Sequence, residues 1–436
     1  MPTVSLTRFR RQETMAAVTL LIDKLVRRKY RIHDLLHETI LSKAGELNFC
    51  QVWQADDSSV NGKSWCLLIH DARENVLETI EYSRVRSIFL LSITAIPRSF
   101  LVNLFKKFKL LKVLDFEDAP IDYLPEEVGN LFLLKHLSLR NTKVKMLPKS
   151  MGVKIHEGVG CLKDLQSLSL VEANHQGLGL IKELGKLRQL RMLGISNITA
   201  EHGKALCASI KSMDHLKILA LSSISEDGIL NLQSISSPPQ FLEHIILRGR
   251  LEELPNWIPK LQNLVTLGLY FSGLEEDPLK HLLPLPNLTN LFLNQGYDGE
   301  ELHFEEGGFR KLKKLTLKKL DRLKMMKIDK GALPLLEQLE IGQCPKLKEV
   351  PSGIQHLENL KTLDFSEVPR NFLLGMQPDG GKDYWIVKKV PTIRFRYRLK
   401  ENDIKYTSSV TQICRSVCKG ESWRTNGHAV SMKDKV

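Results

Sequence analysis

The sequence predicts an α/β solenoid, a horseshoe of stacked repeats with a parallel sheet on its concave face, preceded by a short helical segment. Three observations predict it. The pattern L-x-x-L-x-L recurs about a dozen times, and the copies are mostly spaced about 22 to 26 residues apart. In several copies a proline follows the last apolar position at a similar distance. Together these are typical of leucine-rich repeats.

Each copy of the pattern reads as a short strand with one apolar face. Residues two apart on a strand face the same way, so Leu114 and Phe116 are expected to point inward and Glu117 outward. One unit cannot bury its leucines alone, so units must stack and pair their strands. The copies begin at Leu111, Leu134, Leu165, Leu190, Leu216, Leu242, Leu264, Leu288, Leu312, Leu336 and Leu360, with a degenerate first copy at Val85. The repeats are therefore predicted to span residues 85–370.

The proline after the strand predicts where each return arm begins. It occurs as Leu124-Pro125, Leu147-Pro148, Leu254-Pro255 and Val350-Pro351. Proline fixes φ and has no N–H to donate, so it ends strand pairing. Cys344 occupies the Asn/Cys position of the repeat consensus and is predicted to be a buried structural thiol.

One interval in the series is irregular. Leu137 and Leu168 are separated by 31 residues, too many for one repeat and too few for two. Residues 151–160 are therefore expected either to loop out or to replace a lost repeat.

The two ends differ from the repeats. Helical patterns from Met15 to Arg28 and from Ile32 to Leu41 assign residues 1–50 to a helical segment. Residues 51–84 are predicted to be a linker and first cap strand, with an exposed polar loop from about 51 to 62. Residues 371–436 are predicted to form a cap segment and then a basic tail, disordered from about Tyr406.

Composition limits the class of partner. A net charge of +13 could attract nucleic acid or an acidic membrane surface. The lysines, however, fall in runs such as Lys311 to Lys319 that lack interleaved aromatic residues, so no nucleic-acid partner is expected. Seven scattered cysteines favour a reducing compartment, and no apolar stretch is long enough to cross a bilayer. The expected location is cytoplasmic, with any membrane association peripheral, at the plasma membrane.

The N-terminal segment contains a partial match to a zinc-binding motif. His33 and His37 have the spacing of the H-E-x-x-H motif, but Asp34 replaces its glutamate and no third ligand is evident. A zinc hydrolase is therefore a remote alternative.

Two other motifs resemble functional sites only in part. Gly62-Lys63-Ser64 lacks the first glycine of a phosphate loop, and a strand is expected to follow it. Cys414, Cys418 and His428 lack a fourth metal ligand. No catalytic residue and no metal site is predicted, and the chain is not expected to be an enzyme.

The outward strand positions predict a protein-binding surface. They form a column of side chains on a rigid scaffold: Glu117, Arg140, Val171, Ser196, Ser222, Arg248, Tyr270, Asn294, Lys318, Gly342 and Ser366. Aromatic and arginine residues usually dominate interface energies. Arg140, Arg248, Tyr270 and Phe292 are therefore the predicted anchors.

Three passages carry a resemblance to a known family. Arg31-Ile32-His33-Asp34-Leu35-Leu36-His37-Glu38 looks like the methionine-histidine-aspartate motif and its following helix, with Ile32 in place of methionine. The segment from Leu124 to Leu131 is similar to the family's repeat, and Asp383-Tyr384-Trp385 with Val390-Pro391 to its closing segment. From about Thr19 to Tyr406 the chain resembles the C-terminal part of plant nucleotide-binding leucine-rich-repeat (NB-ARC-LRR) disease resistance proteins of the coiled-coil subclass.

The resemblance implies an intracellular immune receptor fragment. Its repeats would contact a pathogen effector or a guarded host protein and would restrain its own or a related nucleotide-binding domain. His33 and Asp34 would belong to the nucleotide-sensing motif, and the first helices to a winged-helix remnant. The matched part includes no phosphate loop, so ADP or ATP is expected only where the nucleotide-binding domain is present. The alternative is a general repeat adaptor, such as a ubiquitin-ligase substrate receptor.

Overall fold

A computed structural model describes residues 50–53, 65–69, 72, 77, 84–90, 93–144, 161–173, 177–377, 380–400, 403–407, 423–425 and 428–430. The predicted helical segment before residue 50, with His33, Asp34 and His37, lies outside the described residues. So do Gly62-Lys63-Ser64, residues 151–160, Cys414 and Cys418.

The described strands form one long sheet and two short ones. In chain order they are β1 Cys50–Trp53, β2 Cys66–Ile69, β3 Ser87–Leu90, β4 Val113–Asp115, β5 His136–Ser138, β6 Ser167–Glu172, β7 Met192–Ile198, β8 Ile218–Ser223, β9 His244–Arg248, β10 Thr266–Tyr270, β11 Asn290–Asn294, β12 Glu301–Phe304, β13 Lys314–Lys318, β14 Met325–Ile328, β15 Gln338–Gly342, β16 Thr362–Ser366, β17 Thr392–Lys400, β18 Asp403–Thr407, β19 Trp423–Thr425 and β20 His428–Val430. The long sheet runs β1 to β11, then β13 and β15 to β18. Its pairs are parallel up to β17, which confirms the predicted parallel sheet.

The strand register places the repeat leucines in rows. Leu267 of β10 pairs with Ile245 of β9 on one side and with Leu291 of β11 on the other. All three side chains are 0% exposed. The core formed by these rows is continuous from Leu67 to Phe395. Each repeat is therefore stabilised mainly by its two neighbours, as the spacing predicts.

The return arms contain short helices and irregular segments. The helices are α1 Arg98–Lys107, α2 Gly177–Leu184, α3 Gly203–Lys211, α4 Pro278–Leu282, α5 Arg370–Gly375 and α6 Tyr384–Val387. Single 3-10 turns occupy Glu126–Asn130, Ala200–His202, Ile258–Lys260 and Ile354–His356. Strands β12 and β14 pair with each other away from the main sheet.

Side chains in the return arms hydrogen-bond across repeats. Asn263 Nδ2 donates to Gln240 O at 2.9 Å, and Asn287 Nδ2 donates to Gln262 O at 2.8 Å. Trp257 Nε1 likewise donates to Leu232 O at 2.9 Å. The Trp257 bond satisfies a carbonyl in the buried interior, whereas the two asparagine bonds lie at exposed positions and link successive return arms.

The sheet begins before the predicted repeat boundary. Strand β1 pairs with β2, and β2 pairs with β3, in parallel register. Residues 51–53 are therefore strand and not the start of the predicted exposed loop. The strand expected after Gly62-Lys63-Ser64 corresponds to β2, whose residues Cys66 to Ile69 are buried throughout.

The sheet also extends past residue 370. Ile393 and Phe395 of β17 pair with Leu363 and Phe365 of β16, and the rings of Phe365 and Phe395 stack at 5.7 Å. With Val390 they repeat the apolar frame of the earlier copies without a leucine. The predicted disorder from about residue 406 does not hold for the described strands β18, β19 and β20.

Two local irregularities shift the predicted pattern. Strand β5 pairs directly with β6, so the long interval after Leu137 is accommodated between neighbouring strands. In β6 a register shift follows Leu168, and Val171 pairs with Ile195. Val171 is 1% exposed, so its predicted outward position is wrong. The extra residue of a β-bulge moves the next side chain to the opposite face.

Candidate protein-binding surface on the concave sheet

Three of the four predicted anchors lie on neighbouring strands. Arg248 ends β9, and its register partner Tyr270 ends β10. The Arg248 guanidinium carbon lies 4.3 Å from the centroid of the Tyr270 ring, a cation–π contact. Phe292 lies on β11, next to Gly268 of β10. The stacking of successive repeats thus brings together residues that the sequence separates by more than twenty positions.

Gly268 gives the Tyr270 ring its place against the sheet. A Cβ at this position would lie 2.9 Å from Tyr270 Cε2 and 2.7 Å from Ile246 Cδ1. Both distances are shorter than ordinary van der Waals contact. The absence of a side chain at Gly268 therefore allows the ring to settle beside Ile246.

Cations approach the other aromatic rings of this region. Lys314 Nζ of β13 lies 5.6 Å from the Phe292 ring centroid. At the margin, just after the strands, Lys319 Nζ lies 5.9 Å from the ring of Phe271. We call Arg248, Tyr270, Phe292 and Lys314, together with Phe271 and Lys319, the open patch.

Sequence reasoning missed Lys314 and the two marginal residues. Lys314 precedes the central leucine of its repeat and faces the same side as Phe292, one strand away. Counting outward positions before that leucine, and not only after it, would have found it. Phe271 and Lys319 have φ of 57° and 52°, left-handed backbone just after the strand that has no two-residue periodicity to signal it.

Arg140 is not part of the open patch. It follows β5, four strand spacings from β9, or about 19 Å. Its Nε lies 3.4 Å from Glu117 Oε1, and the Glu117 side chain is only 7% exposed. Arg140 therefore has a carboxylate partner on the neighbouring repeat and is separate from the other predicted anchors.

A different group of side chains follows the open patch along the sheet. Lys318 Nζ lies 2.8 Å from Glu340 Oε1, and Arg396 Nη2 contacts the same oxygen. Arg396 Nη2 also lies 3.9 Å from Asp364 Oδ2. We call Lys318, Glu340, Asp364 and Arg396 the paired network, because its cations contact carboxylates one or two strands away.

The pKa values of the two carboxyl groups in the paired network are shifted in opposite directions. Burial by itself would raise the pKa of Glu340, but the hydrogen bonds and charges of Lys318 and Arg396 outweigh burial and lower it. Burial raises the pKa of Asp364, and Arg396 only partly offsets this. Within the described residues Asp364 Oδ1 is buried without a hydrogen-bond partner. Glu340 is therefore the principal anion of the network.

Cys344 lies in the core, as predicted. The side chain is 1% exposed, and its Sγ donates to Gly342 O at 3.3 Å. Burial raises the pKa of this thiol to about 11. It therefore remains protonated at neutral pH and packs as a small apolar group.

Neither a metal cluster nor a membrane-spanning helix is found in the part of the chain that the structure describes. No three His, Cys, Asp or Glu side chains there converge on a metal position. None of the helices there has the length and apolarity needed to cross a bilayer.

The repeat geometry agrees with the family that the sequence matches. Residues 102–368, more than half of the chain, match the family described as "Leucine-rich repeat region". The chain belongs to this family of leucine-rich-repeat proteins. A leucine-rich-repeat protein of Leptospira interrogans has a similar structure, with a TM-score of 0.43 and 19% identity, over 81% of this chain and 98% of that one.

The curated relatives are plant disease resistance proteins. Disease resistance protein RPM1 of Arabidopsis thaliana is 32% identical over 57% of this chain and 26% of its own length. Disease resistance protein RPP8 of the same plant is 26% identical over 84% of this chain and 46% of its own length. The chain thus spans less than half the length of these relatives. The matches confirm its resemblance to the repeat-containing part of such resistance proteins.

Proposed function

We propose that the chain is the recognition region of an intracellular plant immune receptor, acting by binding and not by catalysis. Its concave sheet would bind a pathogen effector or a guarded host protein, and its repeats would restrain a nucleotide-binding domain. The observation that carries the proposal is the open patch, where Arg248, Tyr270 and Phe292 meet on adjacent strands. The names of the relatives supply the biological setting.

The chemistry of the open patch supports binding. Aromatic rings offer large contact areas at small conformational cost, and arginine adds directional hydrogen bonds, so these residues dominate many interfaces. The strands beneath hold them at fixed spacing, which lowers the entropy lost on association. A rigid sheet carrying exposed rings and cations is therefore well suited to a protein partner.

In this proposal the repeats themselves bind no nucleotide, which is instead a ligand of the nucleotide-binding domain that they restrain. ADP or ATP would be bound by that domain, with His33 and Asp34 contributing the sensing motif carried over by resemblance. We place the receptor in the cytoplasm, with any membrane association peripheral, at the plasma membrane.

Co-expression in leaves tests the restraining role. The chain is expressed with the segments that precede the repeats in RPM1 and in RPP8, and the readouts are co-precipitation and leaf cell death. We expect the chain to co-precipitate with at least one segment and to reduce the cell death that the segment causes. A bacterial leucine-rich-repeat protein serves as the control. Absence of both effects, or equal effects from the control, would contradict the proposed function.

A further inference from the structure

We propose that the open patch binds an acidic, extended segment of the protein partner, with carboxylates at Arg248 and Lys314. This inference rests on the proposed function and specifies the chemistry of its partner. Three features of the patch support it: its uncompensated positive charge, the distance between its two strand cations, and the contacts of its aromatic rings.

The charges of the open patch are not balanced by carboxylates within the part of the chain that the structure describes. Among the residues that the structure describes, no carboxylate lies within ion-pair distance of Arg248, Lys314 or Lys319, although many other lysines and arginines do have such partners. Arg248 and Lys319 are exposed, and Lys314 is half-buried. Immediately beyond, Lys318 lies 2.8 Å from Glu340 Oε1. The patch thus presents positive charge that the fold itself leaves uncompensated, and an anionic partner complements it.

The spacing of the two strand cations suits an extended chain. Arg248 on β9 and Lys314 on β13 are three strand spacings apart across the sheet, or about 14 Å, and four residues apart along the strands, or about 13 Å, so about 20 Å separates them on the diagonal. An extended segment rises about 3.3 Å per residue, so carboxylates about six residues apart span a similar distance. They also lie on one face, because side chains alternate along such a segment. An extended acidic segment crossing the strands can therefore reach both cations, and its other residues can contact Tyr270 and Phe292.

The aromatic rings favour a protein over a single-stranded nucleic acid. Base stacking needs exposed ring faces. Arg248 already lies over the Tyr270 ring, and Lys314 lies over that of Phe292. The arrangement leaves the outer sides of the cations available to carboxylates while the rings hold the cations in place.

A peptide titration tests the inference with the full chain. The probes are rhodamine-labelled twelve-residue peptides of alternating glutamate and threonine, or of glutamine and threonine, and a twelve-nucleotide uridine RNA. Affinities are measured by fluorescence anisotropy at physiological salt. We expect the glutamate peptide to bind at least about fivefold more tightly than the glutamine peptide.

A matched pair of variants separates the patch from net charge. Both R248Q/K314Q and K163Q/R188Q remove two positive charges, but Lys163 and Arg188 are exposed in the turns before β6 and β7. We expect R248Q/K314Q to lose the preference for glutamate and K163Q/R188Q to change it by less than about twofold. Urea unfolding checks that each variant is folded, and the single variant K314Q is measured beside them.

Three results would overturn the inference. They are equal affinities for the two peptides, equal losses in both double variants, and tighter binding of the RNA that depends on Arg248 and Lys314. The leaf experiment is independent of these results. If the peptide result holds and the leaf result fails, the proposed function is wrong and the chemistry of the patch stands. If the leaf result holds and the peptide result fails, this inference is wrong and the proposed function stands.

Discussion

The open patch and the paired network lie side by side on one sheet and differ in how their charges are satisfied. In the open patch, Arg248 and Lys314 contact aromatic rings at 4.3 and 5.6 Å. In the paired network, Lys318 and Arg396 contact the carboxylate of Glu340. The backbone register is the same in both regions. What differs is whether a neighbouring strand supplies the opposite charge.

One column of outward positions shows this change directly. Phe292, Thr316, Glu340 and Asp364 occupy equivalent positions on β11, β13, β15 and β16. The column changes from aromatic to acidic within these strands, while the residue before it is leucine on all four strands. The repeat frame therefore sets where side chains point, and the local sequence decides whether they stabilise the fold or remain free to bind.

The largest expected effect comes from the core that supports the open patch. Leu267→Ala removes a side chain that is 0% exposed and packs between two neighbouring repeats. We expect the free energy of unfolding to fall by about 3 kcal/mol, because a cavity adds to the lost burial. Urea unfolding followed by circular dichroism measures it. A loss below about 1 kcal/mol would mean that the leucine rows do not hold this part of the sheet.

A smaller loss is expected when the paired network loses its principal anion. Glu340→Gln leaves Lys318 and Arg396, with side chains 26% and 28% exposed, without their shared carboxylate. The free energy of unfolding should fall by about 2 kcal/mol, since partly buried cations are left uncompensated. The control is K314Q, on the same strand as Lys318. It should change the free energy of unfolding by less than about 0.5 kcal/mol. Equal effects of the two substitutions would remove the distinction between the regions.

Acid titration sharpens the comparison further. The pKa of Glu340 is lower in the folded chain than its ordinary value of 4.5. Its contribution to stability is therefore complete above about pH 4.5 and is lost as the pH falls through the lower folded pKa. Asp364 acts in the opposite direction, because burial raises its pKa and its charged form costs stability.

Urea unfolding between pH 7 and pH 3 measures this dependence. The stability of E340Q should depend less steeply on acid than that of the unsubstituted chain, whereas R248Q/K314Q should keep the full dependence. An unchanged acid dependence in E340Q would show that Glu340 does not exchange protons on unfolding as described.

The smallest effect on stability is expected in the open patch itself. Replacing both Arg248 and Tyr270 with alanine removes an exposed cation and a half-buried ring that contact each other on the open face of the sheet. We expect the free energy of unfolding to change by less than about 1 kcal/mol, while the affinity for the glutamate peptide falls severalfold. Parallel loss of stability and affinity would show that these residues serve the fold.

The repeat sequence predicts most of the fold because the interactions that determine the fold lie within one repeat or between neighbouring repeats. Leucines at fixed spacing specify the strands, and stacking specifies their neighbours, so the register of Leu267 with Ile245 and Leu291 follows. The predicted outward position of Val171 was wrong because a β-bulge inserts a residue that the spacing of the leucines does not reveal. Strand β17 was missed because Val390, Ile393 and Phe395 replace the leucines of the repeat pattern, although the alternation of Ile393 and Phe395 with arginines is itself a strand signal.

The candidate site was predictable only in part. Residue type and strand position were enough to select Arg248, Tyr270 and Phe292. They were not enough to exclude Arg140, whose partner Glu117 lies on a different repeat. The pairing of Lys318 and Arg396 with Glu340 depends on three strands at once. Such contacts become visible only when the stacking of the repeats is known.

Photo-crosslinking tests most directly whether the two regions have different roles. A glutamate–threonine peptide with a central benzoylphenylalanine is irradiated with the full chain, and the attachment sites are mapped by mass spectrometry. The account predicts attachment within β9, β10, β11 and β13, around Tyr270 and Phe292, and its loss in R248Q/K314Q. Attachment around Glu340 and Asp364, or scattered over the return arms and unchanged in that variant, would contradict it.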